Sequence, residues 1–366
     1  MDAPPPLHVV LAAAIALDLA ACRTGSERSL PAADPPPDAS AAMLVAPSAA
    51  ATGASSAPLG TAHSSAPPTL PARPSVAVLR WNNTTPPVAE SFPESSHRLG
   101  QVPHGAWMGT DGVVFVVGYV ITPSGRDGVV WRRTPSAIWA VSRVQPGLPV
   151  THVYGASSDD VWATAGATLL HHDGKAWSEH KITGLEPGSE LHAIWGRNGE
   201  LWIATSQGDR GTLHRRQNGR WSVETRGRAM RAVTGAGATV WAAGDGAIVR
   251  RLPDGTWKTE HADPAARFTA LFASAENDVW VVGTSLMRSA GTGGDGKWIP
   301  VELPGGARAT AVWGRNRTDI HAGTDAGLFF YDTRGWTRVP GLRGSAAIVG
   351  SGDELFAVQA DGARAP

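Results

Sequence analysis

The chain is short of cysteine, of net charge, of tyrosine and phenylalanine, and of long apolar runs. Its 366 residues hold one cysteine, Cys22, which excludes an internal disulfide. Lys plus Arg and Asp plus Glu stand at 32 each, a formal net charge of +0, so no electrostatic field invites nucleic acid. The apolar stretch at residues 7–21 falls short of the roughly 20 residues that a spanning helix needs. There is no GxSxG, no HExxH and no phosphate-binding glycine loop, and the histidines are scattered without carboxylates at ligand spacing. Neither a catalytic constellation nor a metal or cofactor site is expected. Tryptophan is the exception to the scarcity: there are 15, against 3 Tyr and 7 Phe, which suggests one structural slot refilled many times.

Residues 7–21 end in Leu19-Ala20-Ala21-Cys22, which resembles a bacterial lipobox. That resemblance implies a signal peptide over residues 1–22, export to the cell envelope and a lipid on Cys22, which anchors the chain to a membrane; an ordinary cleaved signal and secretion are the alternative. Residues 23–73 are Ala, Pro and Ser in varied order, with almost nothing to bury, and are expected to be a disordered tether spanning roughly 40 Å.

From residue 74 onward the text repeats. The phrases VVFVVG, DVWATAG, ELWIAT, TVWAAG, DVWVVG, DIHAG and ELFAVQ place Phe115, Trp162, Trp202, Trp241, Trp280, His321 and Phe356 in one aromatic slot, at spacings of 47, 40, 39, 39, 41 and 35 residues. Before each lies an apolar strand, several ending in an aromatic-glycine pair such as Tyr154-Gly155, Trp195-Gly196 and Trp313-Gly314. About fifteen residues after the slot, past a turn, stands a further tryptophan: Trp177, Trp221, Trp257, Trp298 and Trp336. Four short β-type runs per copy at a period near 40 predict an all-β chain, a β-propeller over residues 74–366. The last copy stops after two strands, and residues 75–90 match the missing part. N-terminal strands are therefore expected to complete the final blade, giving seven blades; a six-bladed ring is the alternative.

These phrases resemble the VWG…DVWAVG repeats of secreted bacterial β-propeller lipoproteins over roughly residues 75–366, and residues 239–257 are similar to tectonin-type lectin propellers. The resemblance implies architecture and leaves function open, because the fold hosts lyases, sialidases, dehydrogenases and lectins alike.

In a propeller the innermost strands line the channel, and residues that vary where their neighbours repeat are the site candidates. Four residues before the first-strand glycine stand Thr151, His192, Arg231, Thr269 and Thr310, followed mostly by alanine. His192 and Arg231 on adjacent blades are expected to offer a polar pair at one channel mouth. The expectation is a monomeric binding or scaffold module for protein or glycan at the envelope. The competing class is a propeller lyase or hydrolase with His192 as base and Arg231 as charge stabiliser. His321 is expected to be a core residue in a slot that elsewhere holds Trp or Phe.

Overall fold

A computed structural model describes residues 76–81, 100–136, 138–290, 297–340, 347–351 and 354–360. The lipobox-like segment with Cys22, the tether and residues 82–90 lie outside them. The chain begins with β1 (Val76–Trp81), then a meander of β2 (Gly100–Met108), β3 (Val114–Thr122), β4 (Gly125–Arg133) and β5 (Trp139–Gln145). The same meander recurs as β6 (Val150–Ser157), β7 (Asp160–Ala165), β8 (Thr168–His172) and β9 (Trp177–His180), and as β10 (Glu190–Arg197), β11 (Glu200–Gln207), β12 (Arg210–Gln217) and β13 (Arg220–Arg228). Next come β14 (Met230–Ala236), β15 (Thr239–Arg251), β16 (Trp257–Ala275), β17 (Asp278–Gly283), β18 (Leu286–Ala290) and β19 (Lys297–Val301). The last are β20 (Ala309–Asn316), β21 (Asp319–Thr324), β22 (Gly327–Tyr331), β23 (Trp336–Arg338), β24 (Ala347–Ser351) and β25 (Glu354–Ala360).

The fold is an all-β propeller. Four sheets are antiparallel four-stranded blades, and β14 to β19 form one six-stranded sheet. That sheet is continuous because β15 and β16 each turn a corner. β15 pairs with β14 as far as Gly244 and with β16 beyond it; β16 pairs with β15 through Arg267 and with β17 from Phe268 onward. The first strands succeed one another around the ring, β2 against β6, then β10, β14, the second half of β16, β20 and β24, and β24 packs against β2.

β1 joins the last sheet beside β25, with Val76 opposite Leu355 and Trp81 opposite Ala360. A third strand reached through a hairpin must run antiparallel, as in the complete blades. β1 runs parallel, a direction open to a strand that no tight turn joins to its neighbour.

The two tryptophan sets form one interface. Four of the fourth-strand rings pack edge-on against the slot aromatic of the preceding blade: Trp177 on Phe115, Trp257 on Trp202, Trp298 on Trp241 and Trp336 on Trp280, at centroid distances of 5.7–6.3 Å. Trp202 and Trp280 are fully buried. Burial of one such ring contributes about 4 to 6 kcal/mol before entropy. The tryptophans therefore bind blade to blade rather than a ligand.

A second interlock explains the aromatic-glycine phrase. Trp107 in β2 lies where a Cβ on Gly155 of the next blade would stand, within 2.7 Å of it, and Tyr154 is as close to the Cβ position of Gly196. Trp195 faces Gly235 and Phe272 faces Gly314 in the same way. The exceptions obey the rule. Thr234 offers no ring, and the next blade carries Ala273 at the glycine position; Val349 offers none, and it packs with Met108, which fills that position in β2. Gly155→Ala is expected to cost about 1 to 3 kcal/mol by overpacking. The cost should largely vanish in a Trp107→Thr background, in a double-mutant cycle read by denaturant unfolding. Additive effects would remove the interlock.

The glycine that ends the second strand serves another close approach. A Cβ on Gly244 would fall inside the Ala229 carbonyl oxygen, where the chain enters the next inner strand.

Candidate functional site

The site begins with an irregularity shared by six first strands. In β2, β6, β10, β14, β16 and β20 the pairing with the second strand slips by one residue at the same place. The unpaired residues are His104, Thr151, His192, Arg231, Thr269 and Thr310. A bulge sets two residues against one and re-aims the extra side chain. All five positions singled out by their variability in the sequence are thus bulge residues at one end of the inner strands. The sixth, His104, escaped the alignment because Met108 stands four residues after it where the other copies have Gly or Ala.

Each side chain is tied to its own blade. The Thr151 hydroxyl lies 3.1 Å from that of Thr164 and 3.1 Å from His152 Nδ1. His192 Nε2 sits 2.5 Å from Ser206 Oγ and 3.9 Å from Glu190. Arg231 donates Nε and a terminal nitrogen to the two oxygens of Asp245, at 2.8 and 3.2 Å, and Arg267 approaches the same carboxylate at 3.3 Å. The Thr269 and Thr310 hydroxyls donate to the carbonyls of Val282 and Gly323 at 3.4 and 3.2 Å. His192 and Arg231 are therefore neighbours, each held by the second strand of its own blade.

The electrostatics follow from that pairing. The Asp245 hydrogen bonds hold Arg231 above its usual range, and Arg231 in return holds the Asp245 carboxyl below the carboxylate range. Burial, reinforced by the Arg231 charge, keeps His192 neutral. His152 is pushed down to about 3 by burial and by its neighbours His192 and His104. An arc of neutral imidazoles thus leads to a paired guanidinium. Among the described residues no group of three His, Cys, Asp or Glu is placed to hold a metal ion.

Thr269 and Thr310 line a cleft of about 1200 Å³, together with Arg267, Arg308, Leu286 and Leu303. Asp245 connects the cleft to the arc, since it binds Arg231 on one side and Arg267 on the other. Neither the cleft nor the role of Asp245 was legible in the sequence, because Arg231 and Asp245 meet only across a strand pair. Arg197 ends β10 and donates to the carbonyls of Gly237 and Ala238 in the adjoining sheet.

His321 is 1% exposed, in the core slot. In other blades an acidic residue two before the slot pairs with a cation on the third strand, and the cation lies over the slot ring. Glu200, Arg215 and Trp202 form one such set, with the guanidinium 5.2 Å from the ring, and Asp278, Arg288 and Trp280 another, at 4.8 Å. In the His321 blade the ring has moved to the third strand as Phe330, 5.0 Å from the imidazole. The sequence reading found no carboxylate near His321; the structure places Asp319 Oδ1 3.2 Å from its Nδ1. Neither atom has a well-directed hydrogen bond, and Asp319 is held by Arg315 at 3.0 Å. The signal was available, since residues i and i+2 share one face of a strand.

No family model matches the chain, and no curated protein resembles it in sequence. Among solved structures it is similar to YCF48 bound to D1 peptide, at 13% identity over 68% of this chain and 84% of that one, with a TM-score of 0.52. It is also similar to a chain of the mitotic checkpoint complex, at 13% identity over 74% and 90% with a TM-score of 0.52. A third likeness is to the extracellular domain of the putative hybrid two component system BT4673 from B. thetaiotaomicron. There the identity is 13%, the TM-score 0.52, and the match covers 68% of this chain but 37% of that one. At such identities the likeness is one of fold, the β-propeller.

Proposed function

We propose that the chain is an exported, non-catalytic binding or scaffold module: a monomeric seven-bladed propeller, anchored through a lipid on Cys22, that recognises protein or glycan at the cell envelope. The observation that carries the reading is the run of bulges, which sets a polar or titratable side chain at the same end of six successive inner strands. Chemistry is disfavoured because the guanidinium that a lyase would use to stabilise charge is already neutralised by Asp245. Propellers of similar fold are seen bound to a peptide and within a multiprotein assembly, which supports a protein partner.

Peptide and glycan arrays probed with the full chain supply the ligand. Combined His192→Ala and Arg231→Ala substitutions are then expected to weaken its binding at least tenfold, since hydrogen bonds to charged groups contribute about 1.5 to 3 kcal/mol each. Unaltered affinity would move the site to the outer loops. The anchor has its own test: Cys22→Ala should shift the protein from membrane to soluble fractions, and retention in the membrane would remove the lipid.

A further inference from the structure

The seam between the blade of β6 to β9 and that of β10 to β13 departs from its neighbour around the aromatic slot. In the blade of β10 to β13 three permanent charges gather beside Trp202, with Arg215 2.5 Å from Glu200 and 3.5 Å from Glu224. From the following blade Arg251 reaches across to Glu224 at 3.1 Å and to the Trp202 ring at 5.7 Å, and Trp257 covers that ring. The corresponding residues beside Trp162 are Asp160, His171 and His180, the last standing three after Trp177 as Glu224 stands three after Trp221. His171 stacks on Trp162 at 3.8 Å and lies 2.8 Å from Asp160 Oδ1, which also accepts from Trp162 Nε1. His180 meets both rings edge-on, 5.1 Å from Trp162 and 5.2 Å from His171. Arg216, the counterpart of Arg251, crosses the seam to the same indole, 5.1 Å from its centre. It finds an imidazole where Arg251 finds a carboxylate. Trp221, the counterpart of Trp257, makes no ring contact with Trp162 among the described residues.

The groups that face His180 are thus His171 on β8 and Arg216 on β12, with Ser178 Oγ 3.3 Å from its Nε2. On its own strand Glu179 turns to Arg143 and Gln145 of the preceding blade, and Lys181 follows, exposed. A proton on His171 is met by the Asp160 carboxylate. A proton on His180 is met by a guanidinium and a second imidazole. Burial, with His171 and Arg216, accordingly holds His180 below the usual histidine range. The closed seam keeps it neutral, and an opened seam, which returns the imidazole to about 6.5, binds the proton.

We propose that this seam is a proton-operated latch, closed while His180 is neutral and opened when His180 takes a proton, whereas the seam held by Arg251 and Glu224 stays shut. The latch is closed above about pH 6.5, and its opening grows as pH falls by at most about tenfold per pH unit, the limit for uptake of one proton.

Hydrogen exchange on the full chain between about pH 7.5 and 6, corrected for the intrinsic pH dependence of amide exchange, tests the latch. Exchange in β9 and β12 is expected to quicken below about pH 6.5 relative to β17 and β18, which lie outside the seam. His180→Glu supplies the carboxylate that Glu224 provides in the next blade, and His180→Phe keeps an edge-on ring with no proton to gain. Both are expected to abolish the change, and Arg216→Gln to reduce it, since one opposing charge is gone. A rise shared equally by all strands is global unfolding and overturns the latch. So does exchange in β9 and β12 that stays flat with pH, or a local rise that survives both His180 variants.

Discussion

Removal of Val76–Trp81 is expected to lower the melting temperature by about 10 °C and to promote aggregation, whereas removal of residues 23–70 should change neither. The strand supplies six paired positions beside β25. At about 0.5 to 1.5 kcal/mol per backbone hydrogen bond the ladder contributes roughly 3 to 9 kcal/mol, and a domain of this size shifts by about 2 to 4 °C per kcal/mol. Deletion would also bare the edge of β25, which can then pair with other chains. The parallel direction sharpens the test. A circular permutant that restores the strand directly after Ala360 through a two-residue turn would force it antiparallel, while a linker of about a dozen residues or more permits the parallel crossover. Recovery is expected only with the long linker. Scanning calorimetry decides: a deletion variant that melts like the intact chain ends the proposed seven-bladed closure, and equal recovery by both permutants makes strand direction irrelevant.

Acid is expected to unfold the propeller well above the range in which carboxylates titrate. Burial, with the Arg315 charge, pushes His321 down to about 3. Burial, with Arg226, pushes His214 to about 4, and His152 stands at about 3. Each folded value lies below the 6.5 of the unfolded chain, so the unfolded state binds the additional protons. The stability of the neutral imidazoles is complete above pH 6.5 and drains as pH falls from there toward 4. At pH 5 each histidine has lost about 2 kcal/mol and the three together about 6, comparable with the whole stability of a typical domain. Asp319 works the other way, since burial raises its carboxyl and the folded state takes up its proton first. His321→Phe, which keeps a ring in the slot, should move the acid midpoint lower and reduce the proton uptake on unfolding by about one. Denaturant titrations between pH 8 and pH 4 measure both. A stability flat across that range, or a midpoint unmoved in the variant, would defeat the assignment.

The blades were legible because what makes them is local. Alternation over six or so residues, a Gly or Asp turn, and one aromatic per copy specify strand, reversal and packing face within about 40 residues, and repetition of that text is enough for a propeller. The five site candidates were legible for a related reason, since variation stands out against a repeat. His104 was not, because Met108 hides the count. Met108 makes sense only once Val349, more than two hundred residues away, is seen packed with it.

The sequence by itself determined the all-β class, the four-strand unit, the slot for the tryptophans and the placement of His321 in the core, all set by spacings between residues close in the chain. Only the tertiary structure decided that the candidates are bulge residues, that Arg231 and Arg267 share Asp245, that Thr269 and Thr310 open on one cleft, and that β1 runs parallel to β25. Each of these depends on which strand lies beside which and in what register. A one-residue slip sends a side chain to the other face of a sheet, and no local pattern records that slip.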